Sequence, residues 1–244
     1  MKKIIFLLSL CSAFAIGANA DTLGLEMGAA FWAAKTSGNL EYRSLGNDID
    51  LGNALGYDTL NTNFLWASFE HPVPVIPNIK IQHTKIEDSS TRTTNVTFDN
   101  KNFTGNVSSN IQLNQTDFIA YYEILDNWIN VDLGINGKYI DASFSVNDSS
   151  LSAIKDLDYI IPMAYAKAKF DLPFSGFSIE TDLSYVTFRQ SEFYDLKGAL
   201  LYETSFGLGA TLGYRSEKLQ LDDISDVNSD IEIKGAYAGL YYHF

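Results

Sequence analysis

IEIKGAYAGLYYHF, residues 231–244, carries the pattern from which the fold follows. From Ala236 onward the chain alternates. Ala236, Ala238, Leu240, Tyr242 and Phe244 fall on one face, and Gly235, Tyr237, Gly239, Tyr241 and His243 fall on the other. A period of two belongs to a β-strand, and two unlike faces mean two unlike environments. One face is apolar throughout. The other mixes glycine with tyrosine and histidine. The sequence stops on an aromatic residue, with no tail after the strand.

The same alternation recurs along the chain. Leu23, Leu25, Met27, Ala29, Phe31 and Ala33 share one face of 22–34, opposite the small or polar Thr22, Gly24, Glu26, Gly28 and Ala30. Further strands are expected at 61–70, 79–86, 112–124, 129–145, 157–170, 177–188, 192–202, 206–221 and 231–244, which makes ten. Eight is the alternative, if two long hairpins are wrongly split. Connections alternate between longer polar loops (35–60, 87–111, 146–156, 189–191, 222–230) and short turns (71–78, 125–128, 171–176, 203–205). Within 87–111, TRTTNVTF and FTGNVSS are placed to pair around Asp99-Asn100-Lys101. Three prolines in 72–77 cannot continue a ladder and mark a turn. Two segments resist assignment. Phe64 and Trp66 oppose Leu65, Ala67 and Phe69, so either face could be the apolar one. His83 shares a face with Ile79 and Ile81.

Lys2 and Lys3, the apolar run 4–16 and Ala18-Asn19-Ala20 form a secretory signal pattern cleaved before Asp21. The apolar run is shorter than the roughly 20 residues a spanning helix needs. Leu10 before Cys11 is too large for a lipoprotein signal. Residues 21–244 then form one domain without cysteine, which excludes disulfides and thiolate chemistry. The formal charge is −13. So acidic a chain repels phosphate backbones, and no nucleic-acid partner is expected. Aromatic content is 14%. An exported, aromatic-rich chain without a spanning helix leaves two classes, a periplasmic β protein and an outer-membrane barrel.

The charges decide between them. In the register above, the polar faces carry Asp117 and Glu123, then Asp132 and Lys138, then Lys167 and Lys169, then Glu180 and Asp182, then Lys197, then Arg215. The opposite faces carry almost none. A soluble barrel hides its apolar side, whereas a membrane barrel shows it to lipid and turns its charges inward. The expected fold is therefore an all-β, transmembrane, antiparallel up-and-down β-barrel in the outer membrane of a Gram-negative bacterium. Trp128, Phe170, Phe177, Tyr202, Phe206 and Phe244 sit near strand ends, as a periplasmic aromatic girdle would. The last strand should close on the first, leaving no open edge.

ADTLGLEMGAAFW (20–32), WASFEHPVPVIPNIKIQ (66–82), TDFIAYYEILDNWINVDLG (116–134), PMAYAKAKFDLP (162–173) and AYAGLYYHF (236–244) together resemble a family of small outer-membrane β-barrel proteins of Gram-negative bacteria, loosely like the OmpA and OmpW barrels. The resemblance covers nearly all of 21–244. It implies location and fold, and it carries over no functional residue. It also implies that Leu240, Tyr242 and Phe244 form the terminal signal read by the barrel-assembly machinery. Other partners would be periplasmic chaperones during biogenesis, then outer-membrane lipid and lipopolysaccharide.

Sites of chemistry are sparse. His71 lies in the proline turn, His243 is next to last, and His83 is mid-strand; only His83 could approach an extracellular rim as a base. No acidic pair or serine motif accompanies it, so no catalytic residue and no enzyme activity are assigned. The acidic loops at Asp48, Asp50, Asp58 and at Asp222, Asp223, Asp226, Asp230 lack the turn glycine and terminal glutamate of a calcium loop. No metal or cofactor is expected. The inward charges are the functional candidates. They form either a rigid plug or a narrow path that selects small solutes, and the plug is the leading expectation because narrow barrels are filled by side chains.

Overall fold

The computed structural model describes residues 23–42, 48–57, 59–73, 75–224 and 226–244, so the expected signal segment lies outside the described residues. Ten long strands and one short one follow each other: β1 (Gly24–Tyr42), β2 (Ile49–Asp50), β3 (Thr59–Glu70), β4 (Asn78–Phe98), β5 (Lys101–Leu125), β6 (Ile129–Asn147), β7 (Ser152–Asp171), β8 (Phe177–Phe188), β9 (Ser191–Glu203), β10 (Leu208–Ile224) and β11 (Val227–His243). Each long strand pairs antiparallel with its sequence neighbour, and β11 also pairs with β1. The result is a closed ten-stranded up-and-down barrel. β2 is a two-residue flap against Asn39 and Leu40 of β1.

The seam runs from Glu26↔His243 to Tyr42↔Val227. Met27↔Tyr242, Ala29↔Leu240 and Phe31↔Ala238 meet on its outer face. The Phe244 N–H donates to the Leu25 carbonyl at 2.9 Å, so the last residue completes the ladder. The pairing of β11 with β1 leaves neither terminal strand with an open edge, as hydrocarbon requires.

Alternation holds where it was read. Phe118, Leu133, Ile135, Ile179, Leu200, Leu212 and Leu240 point outward and are exposed, while Asp117, Asp132, Asp182, Lys197 and Arg215 point inward and are buried. The two doubtful strands resolve. Phe64 is buried inside, and Leu65 and Phe69 face out. His83 faces outward and bonds Thr116 at 3.0 Å. A barrel charged inside and apolar outside can lie only in a bilayer, and closed strand barrels of this kind belong to the outer membrane. At the short-turn rim, Trp128–Phe170, Phe177–Tyr202 and Tyr242–Phe244 make outward ring pairs with centroids 5.2, 4.9 and 4.5 Å apart. These pairs form the periplasmic girdle.

The long loops differ from expectation. β4 and β5 pair without a break to Phe98↔Lys101. Asp99 and Asn100 turn the chain at φ 52° and 56°, the two positive angles of a type I′ hairpin. β1 continues to Tyr42, β7 begins at Ser152, and β10 and β11 extend to a tight turn at Asp226. Most residues read as loop therefore extend the wall. Ser, Thr and Asn form water-facing strands as readily as lipid-facing ones form from Leu and Phe, once the neighbouring strand supplies partners.

Inward glycines are filled by aromatic rings from the next strand. Gly28 is in register with Trp66 and Gly209 with Tyr241. A Cβ on either glycine would lie 2.1 Å from a ring carbon. These two glycines therefore make room for rings lying across the inner wall.

Candidate functional site

Four cations and four anions interlock in mid-lumen. β9 and β10 bring the first part. Arg215 stands in register with Lys197, a like charge, so its guanidinium reaches diagonally to Asp195 instead. Nε donates to Asp195 Oδ1 at 2.9 Å and Nη2 to Oδ2 at 2.7 Å, with Glu217 Oε2 at 3.2 Å and Thr84 Oγ1 at 3.0 Å. The guanidinium also stacks 4.6 Å from Trp32 and 5.2 Å from Phe64. Lys138 on β6 crosses to Asp117 at 3.1 Å and Asp195 at 3.0 Å. Gln115 donates to Glu217. Asn136 donates to Asp117 at 2.7 Å and Ser184 at 3.0 Å.

The second part lies nearer the periplasm. Asp182 on β8 takes Lys80 at 2.7 Å, Lys197 at 3.5 Å and the Tyr165 hydroxyl at 3.1 Å. Lys197 also donates to Gln82 at 2.6 Å, which joins the two parts. Burying charges is costly unless each is paired, and here each has at least one opposite partner. Arg215 and Lys138 are 0% exposed. Neither side chain has surface open to solvent.

Eight of the ten charges read from the sequence join this system or its periplasmic fringe. Asp117, Lys138, Asp182, Lys197 and Arg215 form the centre. Asp132 holds Lys167 at 3.4 Å at the fringe. Glu180 stands 3.9 Å from Lys167, a looser contact. Lys169 turns instead to Asp171 at the rim, 3.7 Å away. Glu123 is exposed at the periplasmic mouth. Lys80, Asp195 and Glu217 were not picked out. Asp195 lies two residues from Lys197 and Glu217 two from Arg215, so strand period alone places each on the face already called polar. Lys80 sat on the strand whose faces were ambiguous.

Above the plug the lumen is apolar, which corrects the expectation of a small and polar inner face. Leu113, Ile140, Leu157, Leu219, Ile231 and Ile233 point inward around a cavity of about 80 Å³. Within the expected polar loop 35–60, residues 49–57 carry buried apolar side chains. Leu51, Leu55 and Tyr57 pack against Val96, Phe98 and Phe103. Asp50 fixes this flap, accepting from Asn53 N at 2.8 Å and Asn53 Nδ2 at 2.7 Å. The Asn53 N–H holds the Asp50 carboxyl below its ordinary range, and burial pushes the Tyr57 phenol up to about 12.

No three His, Cys, Asp or Glu side chains gather as metal ligands among the described residues. His83, on the lipid face, is in register with Leu65 and Thr116.

No protein-family model matches the chain, and no curated protein matches it. Solved structures with a similar trace include the outer membrane protease OmpT from Escherichia coli, at TM-score 0.49 and 12% identity, covering 95% of this chain and 99% of that one. They also include Ail, the attachment invasion locus protein of Yersinia pestis, at TM-score 0.41 and 8% identity, covering 90% and 99%. A third is Neisserial surface protein A, at TM-score 0.39 and 12% identity, covering 93% and 100%. Likeness at this level transfers no activity from any of them to this chain.

Proposed function

We propose that this chain is a plugged outer-membrane barrel, with a rigid side-chain-filled lumen and a structural or surface-interaction role. One observation carries the reading. Arg215 and Lys138 are fully buried while ion-paired across the lumen from β5, β9 and β10. A conducting pore would hold its charges in water, where hydration replaces partners. Here protein carboxylates fill that place, and the surrounding glycines are occupied by rings. The extracellular hairpins then rise from a scaffold that does not breathe.

The competing reading, a narrow channel for small solutes, makes the opposite prediction in planar bilayers. Refolded full-length barrel should show no steady open conductance. A steady conductance that disappears when Lys167 and Lys169 are both changed to Met would overturn the plug and assign the lumen as a path.

A further inference from the structure

The β3–β4 turn stands higher in the wall than the β5–β6 turn beside it. β4 begins at Asn78, which pairs with Tyr121 of β5. β5 runs on to Leu125 before its own turn into β6 at Ile129. Among the described residues no strand pairs with the β4-side edge of 122–125. Phe170 of the aromatic girdle is in register with Ile129, whereas Tyr122 is in register with Leu133, four residues further up β6. At about 3.3 Å per residue and a tilt of about 40°, this is roughly 10 Å of height. A tyrosine side chain spans less, so the Tyr122 hydroxyl lies above the girdle whichever way its ring leans.

The turn bends outward to meet that hydroxyl. Tyr122 shares the lipid face of Phe118, and its hydroxyl donates to the Val75 carbonyl at 2.9 Å. The turn thus rests against the outside of the wall and not over the mouth of the lumen. Val73, Val75 and Ile76 are 47, 83 and 54% exposed there. Residues 71–79 include no Asp, Glu, Lys or Arg. Such a group of aliphatic side chains is unfavourable in water, and it adjoins a wall that already faces lipid.

Irregular backbone can touch hydrocarbon only where its polar groups already have partners. Pro72, Pro74 and Pro77 have no N–H to satisfy. Of the three N–H groups left in 72–77, Val73 donates to His71 Nδ1 at 3.2 Å and Ile76 to the Val73 carbonyl at 3.2 Å. The His71 N–H donates to Asn78 Oδ1 at 3.0 Å, closing the base of the turn. The prolines that end the ladder also remove the donors that hydrocarbon would strand. We infer that Val73, Val75 and Ile76 are embedded among acyl chains of the periplasmic leaflet, so that the β3–β4 turn is a lipid-contact surface continuous with the lipid face of β5 and held there by Tyr122.

Tryptophan fluorescence of the full chain, refolded into phosphatidylcholine vesicles, tests this. Trp128 is first replaced by Phe, which leaves Trp32 and Trp66 on the lumen side. Val75→Trp then serves as the reporter and Ile76→Trp as a second one, each confirmed as a folded barrel by its migration on unheated gels. Ser149→Trp, at the opposite end of the barrel in the β6–β7 turn, is the water-exposed control. Lipids carry bromine either near the headgroup end of the acyl chain or near its methyl end. Both reporters should emit to the blue of the control and be quenched at least twofold, more by the shallow bromines than by the deep ones. Tyr122→Phe should at least halve that quenching. Reporters that emit and quench like the control would place the turn in water or against a periplasmic protein and overturn the proposal. Unchanged quenching in Tyr122→Phe would overturn the hydroxyl's part in it.

Discussion

Asp195 receives both Nε and Nη2 of Arg215, at 2.9 and 2.7 Å, with both side chains buried. Paired in this two-pronged way, the guanidinium cannot rotate without leaving a bare carboxylate in a buried site. The relationship crosses from β10 to β9 on the diagonal, because the residue directly opposite Arg215 is Lys197.

Breaking that pair should be costly. Arg215→Met leaves Asp195 with Lys138 alone and Glu217 without its cation. The loss should be about 3–5 kcal/mol in reversible urea unfolding from lipid vesicles, as for other broken buried pairs. Asp195→Asn leaves Arg215 with Glu217 alone and Lys138 with Asp117 alone, and should cost a comparable amount. A loss under about 1 kcal/mol for both would mean that the plug is hydrated and soft.

Ring-over-glycine packing makes a separate prediction. Gly209→Val places atoms where the Tyr241 ring lies, 2.1 Å from the nearest ring carbon even at Cβ. Overpacking of this kind costs about 1–3 kcal/mol. In a Tyr241→Ala background the same valine has space, so the double variant should lose less than the sum of the two single losses. Simple additivity in refolding measurements would count against the packing account.

Phe244 separates address from seam. Its backbone N–H closes the ladder on Leu25, a bond that any residue but proline can make, and its ring touches Tyr242. Phe244→Ala should therefore cost at most about 1.5 kcal/mol in vitro, yet reduce the amount of barrel assembled in outer membranes severalfold. Equal assembly of variant and wild type would remove Phe244 as a recognition signal.

Two carboxylates hold the extracellular loops, and both are depressed. Asp50 is held low by the Asn53 N–H, and Asp148 by the N–H groups of Ser150, Thr104 and Leu151. A folded-state pKa below the ordinary one means these anchors act fully above the ordinary carboxylate range. They are lost as pH falls through the depressed values. The flap should stay closed at pH above the ordinary carboxylate range and loosen at pH well below it. Pepsin cleavage within 48–57, compared with Asp50→Asn at each pH, reads this out. The variant should be cut faster at the higher pH and equally at the lower. A ratio that does not change with pH would show that Asp50 does not anchor the flap.

Much of the wall was legible. Phe177–Phe188 matches its expected strand residue for residue, and the Asp99-Asn100 turn is where the sequence placed it. The strand count, the lipid face and the closing seam follow from a period of two and from turn residues, both local properties. Segments 87–111 and 222–230 were read as long polar connections, with a hairpin placed inside the first, because water-facing extensions lack the apolar alternation that marks a lipid-facing strand. The apolar chamber went unread for a related reason. Ile231 and Ile233 share the inward face of Gly235 and Tyr237, but an inner face changes from polar to apolar only at a height above the membrane that no single strand reveals.

By itself, the sequence determined that this chain alternates, which face of most strands meets lipid, and where the hairpins turn. These depend on covalent geometry and on residues a few positions apart. Only the tertiary structure decided that Arg215 holds Asp195 and not the facing Lys197, that Lys80 reaches Asp182 across the lumen, and that the β7–β8 ladder stops at Ala164↔Tyr185. The physical reason is closure. Bending ten strands into a ring sets which side chains point at one another from opposite walls. It also sets the relative height of each hairpin, and neither can be read along one strand.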